Sequence, residues 1–181
     1  MNIKEIDEFN RFIRLCAGRV GQWVNYSQLG NDAGVTQPTA QSWLQLLKTT
    51  FVLFTLSPHH QNFNKRVVKT PKIYFNDAGL LCYLLRIQNS GQLYSHPLRG
   101  QIFENFVVSE YVKYYFNRGE DPPLYFWRDQ KGHEVDLILD EGTQLFPIEI
   151  KSGSTFQKEF FNPGKIYEQA PSVITKSLRW V

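Results

Sequence analysis

The sequence predicts an α/β protein, α+β in detail, in two parts: a helical N-terminal half closing in a β-hairpin, then one long helix followed by three strands. Three observations predict it. Apolar residues recur at helical spacing near the N-terminus and again from Gly100 to Asn117. Runs rich in branched and aromatic residues read as strands. A Gly/Ser/Pro-rich connection, Gln88–Pro97, separates the halves and sets a domain boundary between residues 1–90 and 91–181.

The first helix rests on Ile6, Phe9, Ile13, Cys16, Ala17 and Val20, with Glu5, Asp7, Glu8, Arg11 and Arg14 facing outward. A short segment, Ser27–Gly34, leads to Thr36, a good N-cap, and Pro38, which suits a first helical turn. The helix that follows runs to Thr49 and buries Ala40, Trp43, Leu44 and Leu47. Its outer face presents Gln37, Thr39, Gln41, Ser42, Gln45 and Lys48. Strands at Phe51–Leu56 and Lys72–Phe75 flank a polar loop, which completes a winged helix-turn-helix. The helix would enter a nucleic-acid groove while His59, His60, Lys65 and Arg66 on the exposed wing meet phosphates. Docking of another protein is the competing use, since this helix carries one Lys and no Arg. Asp77 caps a helix at Ala78–Leu85.

In the second half, Phe103, Phe106, Val107, Tyr111 and Tyr114 form the apolar face of the Gly100–Asn117 helix. Glu104 falls in its first turn beside that face, where it also favours the positive end of the helix dipole. Strands follow at Leu124–Arg128, Glu134–Leu139 and Gln144–Lys151. With Glu141-Gly142 as the turn, Asp140 pairs with Thr143, Ile138 with Leu145 and Asp136 with Pro147. Alternation then puts Asp136, Glu149 and Lys151 on one side, the two carboxylates diagonal and roughly 7–8 Å apart.

Composition bounds the function. The 181 residues are 42 % hydrophobic and 15 % aromatic, enough for a core. No apolar run approaches the roughly 20 residues of a membrane span, and the charged, amphipathic N-terminus is unlike a signal peptide. The two cysteines, Cys16 and Cys82, read as reduced core residues of a cytoplasmic protein. Net charge is +3, divided as +5 over residues 1–90 and −2 over residues 91–181. A basic half beside a carboxylate-bearing half suggests polyanion binding next to metal binding.

Two close carboxylates can share a hard cation such as Mg²⁺, which polarises a phosphate and activates water; a neighbouring lysine orients that water. The alternative is a cross-strand salt-bridge cluster on a wet sheet face. The apolar neighbours Leu137, Ile138, Leu139, Ile148 and Ile150 favour the metal, because buried charges are paired or metal-bound.

The order of Glu104 on a helix, Asp136 on a strand and Glu149-Ile150-Lys151 on the next resembles the PD-(D/E)xK nuclease superfamily, with its restriction-endonuclease-like αβββαβ core and mixed sheet. The stretches KIYFNDAGLLCYLL, GQIFENFVVSEYVKYYF, YFWRDQKGHEVDLIL and PIEIKSGST resemble more closely the C-terminal domain of unknown function, preceded by a winged helix, of prokaryotic AAA-type ATPases. The resemblance covers residues 5–155. It implies Asp136, Glu149 and the Ile150 carbonyl as Mg²⁺ (or Mn²⁺) ligands, Lys151 as the water-positioning group and Glu104 as the helix-borne carboxylate, with Glu134 an extra ligand candidate. Val135 stands where the superfamily name has Pro, and after Thr155 the pattern fades. With no P-loop in the sequence, the chain is expected to be a piece lacking its motor domain.

Three expectations stand together: a DNA phosphodiesterase, a catalytically silent module that targets or regulates an AAA-type ATPase, and a winged-helix DNA-binding regulator. DNA and the ATPase module are the expected partners, a membrane is not, and oligomeric assembly stays open.

Overall fold

The computed structural model describes residues 3–59, 70–129 and 132–153. Among the described residues there are six helices and five strands, a mixed α+β architecture. In chain order they are α1 (Ile3–Ala17), α2 (Tyr26–Ala33), α3 (Gln37–Thr49), β1 (Leu53–Pro58), β2 (Lys72–Phe75), α4 (Ala78–Leu84), α5 (Ser90–Ser95), α6 (Arg99–Phe116), β3 (Leu124–Arg128), β4 (Glu134–Asp140) and β5 (Leu145–Ile148). The strands are ordered β2-β1-β3-β4-β5. His60, Lys65 and Arg66, expected on a wing, lie outside the described residues, as does everything after Gly153.

The chain forms two compact units, Met1–Thr55 with Pro71–Ser109 and Leu56–Thr70 with Glu110–Val181. Each unit draws on two stretches of the chain. Gln88–Pro97 is not mere connection, because Asn89 caps α5 by accepting the Gln92 N–H. Ile102, at the start of α6, belongs to the first unit's core.

In the first unit, Phe12, Cys16 and Ala17 of α1 pack with Leu29, Ala33, Ala40, Leu44, Leu47, Leu53, Ile73 and Phe75, all nearly inaccessible. Trp43 takes the rings of Phe9 and Phe12 edge-on at 5.3 and 5.5 Å. Local hydrogen bonds fix the helix starts: Asn25 accepts from Gln28, Thr36 from Thr39 and Asp77 from Leu80, each such cap stabilising by about 1 kcal/mol. After α1 the chain pairs with β2, through Gly21 N–H to the Ile73 carbonyl, Ile73 N–H to that of Gln22, and Val24 N–H to that of Pro71.

The strand expected from Phe51 begins instead at Leu53. Phe51 has φ 56° and donates its N–H to Lys48, so it ends α3 in a left-handed turn.

In the second unit, β1 lies parallel to β3 (Ser57 beside Tyr125), and β3 lies antiparallel to β4 with a register shift between Tyr125 and Trp127. β4, between β3 and β5, has buried residues on both faces: Val135 and Leu137 on one, Ile138 on the other. The β4–β5 register corrects the expected one. Asp140 faces Leu145 and Ile138 faces Pro147, so the connection is four residues, Glu141–Gln144, rather than two. Asp140 carries the turn by accepting the Gly142 N–H at 2.8 Å, and Gly142 takes φ 80°.

Candidate functional site

The register correction moves pairing by two residues, which preserves faces. The last paired residues are Leu137 and Ile148; the same register carried one step further would set Asp136 across from Glu149 rather than diagonal to it. Beyond β5 the backbone stays tied to β4, because the Ile150 N–H donates to Asp136 Oδ2 at 2.8 Å. Lys151 follows Glu149 by two and lies on the same face. Its ammonium pairs with Glu149 Oε1 and stands 3.9 Å from Asp136 Oδ2. Asp136 is largely covered (16 % exposed), Glu149 less so (30 %), and Lys151 is half in solvent.

Electrostatics record the crowding. Burial pushes the Glu149 carboxyl above its ordinary pKa, the Asp136 charge pushes it further, and Lys151 pulls against both. Glu134 adds to the upward push. Its own carboxylate is held by Arg128 Nη1 at 2.9 Å, across the β3–β4 pair.

Glu104 has different surroundings. Within the first unit its Oε1 accepts the Tyr74 hydroxyl at 2.5 Å and lies 3.5 Å from Lys72 Nζ. Lys72 and Tyr74 are buried. Gly21 lies against this carboxylate; with φ 72°, a Cβ there would stand 3.6 Å from Glu104 Oε2. The next residue, Asn105, is fully buried and grips β2 with both amide atoms: Phe75 N–H donates to its Oδ1 at 2.6 Å and its Nδ2 donates to the Phe75 carbonyl at 3.1 Å.

On α3, Gln37, Gln41, Ser42 and Gln45 are exposed as expected, whereas Thr39 and Lys48 are half-buried. The Thr39 hydroxyl is shared with Thr36 at 2.8 Å. His59, expected on an exposed wing, is buried instead. Its N–H reaches the Phe126 carbonyl at 2.7 Å, its Nε2 lies 3.2 Å from Asp140 Oδ2, and its ring meets Tyr125 edge-on. Among the described residues, no group of three or more His, Cys, Asp or Glu is gathered for a metal, and no helix is long and apolar enough to cross a membrane.

Sequence reasoning missed the Lys72–Tyr74–Glu104 and Arg128–Glu134 groupings. The alternation in Lys72-Ile73-Tyr74-Phe75 signalled the first. The second needed the β3–β4 register.

Fold and site together define an α+β chain with a capped-helix unit and a sheet face bearing paired carboxylates. Residues 1–91 match the family described as Domain of unknown function (DUF8612), and the chain belongs to that family. Residues 99–176 match a second one, Domain of unknown function (DUF4143). The uncharacterized proteins Rv2008c of Mycobacterium tuberculosis and Mb2031c of Mycobacterium bovis are each 34 % identical over 135 residues. That stretch is 75 % of this chain but 30 % of either relative's length. No solved structure matches the chain.

Proposed function

We propose that the chain is the C-terminal region of an AAA-type ATPase family protein and carries a metal-dependent phosphodiesterase site on a restriction-endonuclease-like domain. The supporting observation is that the Lys151 ammonium pairs with Glu149 Oε1 and lies 3.9 Å from Asp136 Oδ2, which brings both carboxylates to one point. The much greater length of the mycobacterial relatives is in keeping with a further module.

The residues fit a hard divalent cation. Two carboxylates with water and substrate oxygens are an ordinary Mg²⁺ set, and Glu149's resistance to ionisation beside Asp136 is relieved by added positive charge. Bound there, Mg²⁺ (or Mn²⁺) would supply Lewis acidity and water activation. Asp136 and Glu149 would hold it, with the Ile150 carbonyl as the third donor that the family resemblance implies. Lys151 would orient the attacking water and offset phosphate charge. Glu104 stays with its own unit, where it holds Tyr74 and Lys72.

The first unit is proposed as a winged helix, supported by the pairing of residues 21–24 with β2, capped α2 and α3, and β2 beside β1. Exposed Gln37 and Gln41 would face the partner, with Thr39 and Lys48 at the margin.

The test is plasmid DNA with Mg²⁺ or Mn²⁺. Cutting that falls at least about 100-fold in both Glu149→Ala and Lys151→Ala is expected for groups at the reacting phosphate; cutting that survives both changes defeats the proposal. One observation favours a silent module instead, because the Lys151 ammonium already offsets part of the carboxylate charge. Calorimetry separates the two readings: heat of Mg²⁺ binding lost in Asp136→Asn supports the metal site, and no heat with the unaltered chain supports the silent module.

A further inference from the structure

Resting on the phosphodiesterase reading, we infer that Arg128 binds a backbone phosphate of the nucleic acid at that site, and that Glu134 holds it in place until the phosphate displaces the carboxylate.

Arg128 and Glu134 are directly paired across β3 and β4, so their side chains share a face. Glu134 and Asp136 are two residues apart on β4 and share that face as well, roughly 7 Å apart along the strand. The face therefore carries Arg128, Glu134 and Asp136, with Glu149 and Lys151 entering from the neighbouring chain segment. Glu134 also acts electrostatically on Glu149, as charges on one face do.

The pair is suited to exchange. Arg128 Nη1 meets Glu134 Oε2 at 2.9 Å, and the side chains are 33 % and 24 % exposed. Pairs with this much water access are weak, so an incoming anion loses little by replacing the carboxylate. A guanidinium offers a planar fork that matches phosphate oxygens, a geometry that a lysine ammonium lacks. Two cations of different kinds thus border the paired carboxylates: Lys151 contacts them, and Arg128 stands one residue pair away, where a flanking phosphate would lie.

The experiment measures fluorescence anisotropy of labelled single- and double-stranded oligonucleotides with the full chain. Ca²⁺ replaces Mg²⁺, and salt is varied. Arg128→Ala should weaken binding about 10-fold and lower the slope of log affinity against log salt by about 0.7–0.9, the loss of one phosphate contact. Arg128→Lys keeps the charge without the fork, so it should retain the slope and lose affinity several-fold. Glu134→Gln should tighten binding, by up to about 5-fold. Unchanged affinity and slope in Arg128→Ala overturns the inference, and if that variant does not fold, unchanged affinity in Arg128→Lys does so. Displacement of the oligonucleotide by millimolar inorganic phosphate would overturn the nucleic-acid assignment in favour of free phosphate. The Mg²⁺ calorimetry is read separately: absent heat with the unaltered chain defeats the phosphodiesterase reading, while the Arg128 comparison by anisotropy still stands or falls alone.

Discussion

Glu104 in the first unit and Glu149 in the second are both mostly covered carboxylates, yet their surroundings differ in kind. Glu104 meets a hydroxyl and an ammonium, Tyr74 and Lys72, and tethers α6 to β2. Glu149 meets another carboxylate, and its ammonium partner Lys151 is half in solvent. The first arrangement is complementary and serves architecture. The second leaves like charges side by side, which is useful where a ligand supplies the missing positive charge. Burial of a charge alone does not mark a function; what surrounds the charge does.

The sharpest way to break this contrast is to remove each carboxylate and compare the costs. Glu104→Ala leaves the Lys72 ammonium buried without this counter-charge, and breaking such a pair costs about 3 kcal/mol. Urea unfolding should show a loss of that size, with Tyr74→Phe costing less, about 1 kcal/mol, for one hydrogen bond. A loss under 1 kcal/mol in Glu104→Ala would show that Glu104 is not the tether described.

Asn105 tests the same architecture one residue along. Its amide satisfies both the N–H and the C=O of Phe75, as a neighbouring strand would. Asn105→Ala should cost about 2 kcal/mol, and amide exchange at Phe75 should speed up more than exchange in β4. Equal acceleration in both would mean that the residue acts on global stability, not on β2.

The sequence revealed what local chemistry determines. Thr36 and Asp77 were readable as caps because each bonds a backbone N–H three residues ahead. The shared face of Asp136, Glu149 and Lys151 was readable despite a wrong turn, since an error of two residues leaves strand alternation intact. What was not readable depended on distant partners or unusual backbone. His59 looked like a wing residue until Asp140, 81 positions away, came beside it. Phe51 looked like a strand start because a bulky residue seldom takes φ 56°. Asn105 looked like an ordinary helical residue, and only β2 explains its burial.

The smallest expected effect is the most discriminating, because its direction differs from that of Glu104. Glu149's carboxyl titrates above its ordinary value, through burial first and Asp136 second. The fold therefore accommodates the acid form better than the anion. The stability this gives is complete below the ordinary carboxylate value and is lost as pH rises through the raised one. Glutamine cannot ionise, so Glu149→Gln escapes that loss. Losing the half-exposed Lys151 contact offsets the gain only slightly. Urea midpoints should show the variant level with the unaltered chain at about pH 4 and more stable at about pH 7. Added Mg²⁺ should then narrow the gap at pH 7, because it stabilises only the chain that keeps both carboxylates. A variant less stable by the same margin at both pH values would place Glu149 with Glu104, as a structural carboxylate satisfied by its lysine, and would remove the electrostatic case for a cation on this face.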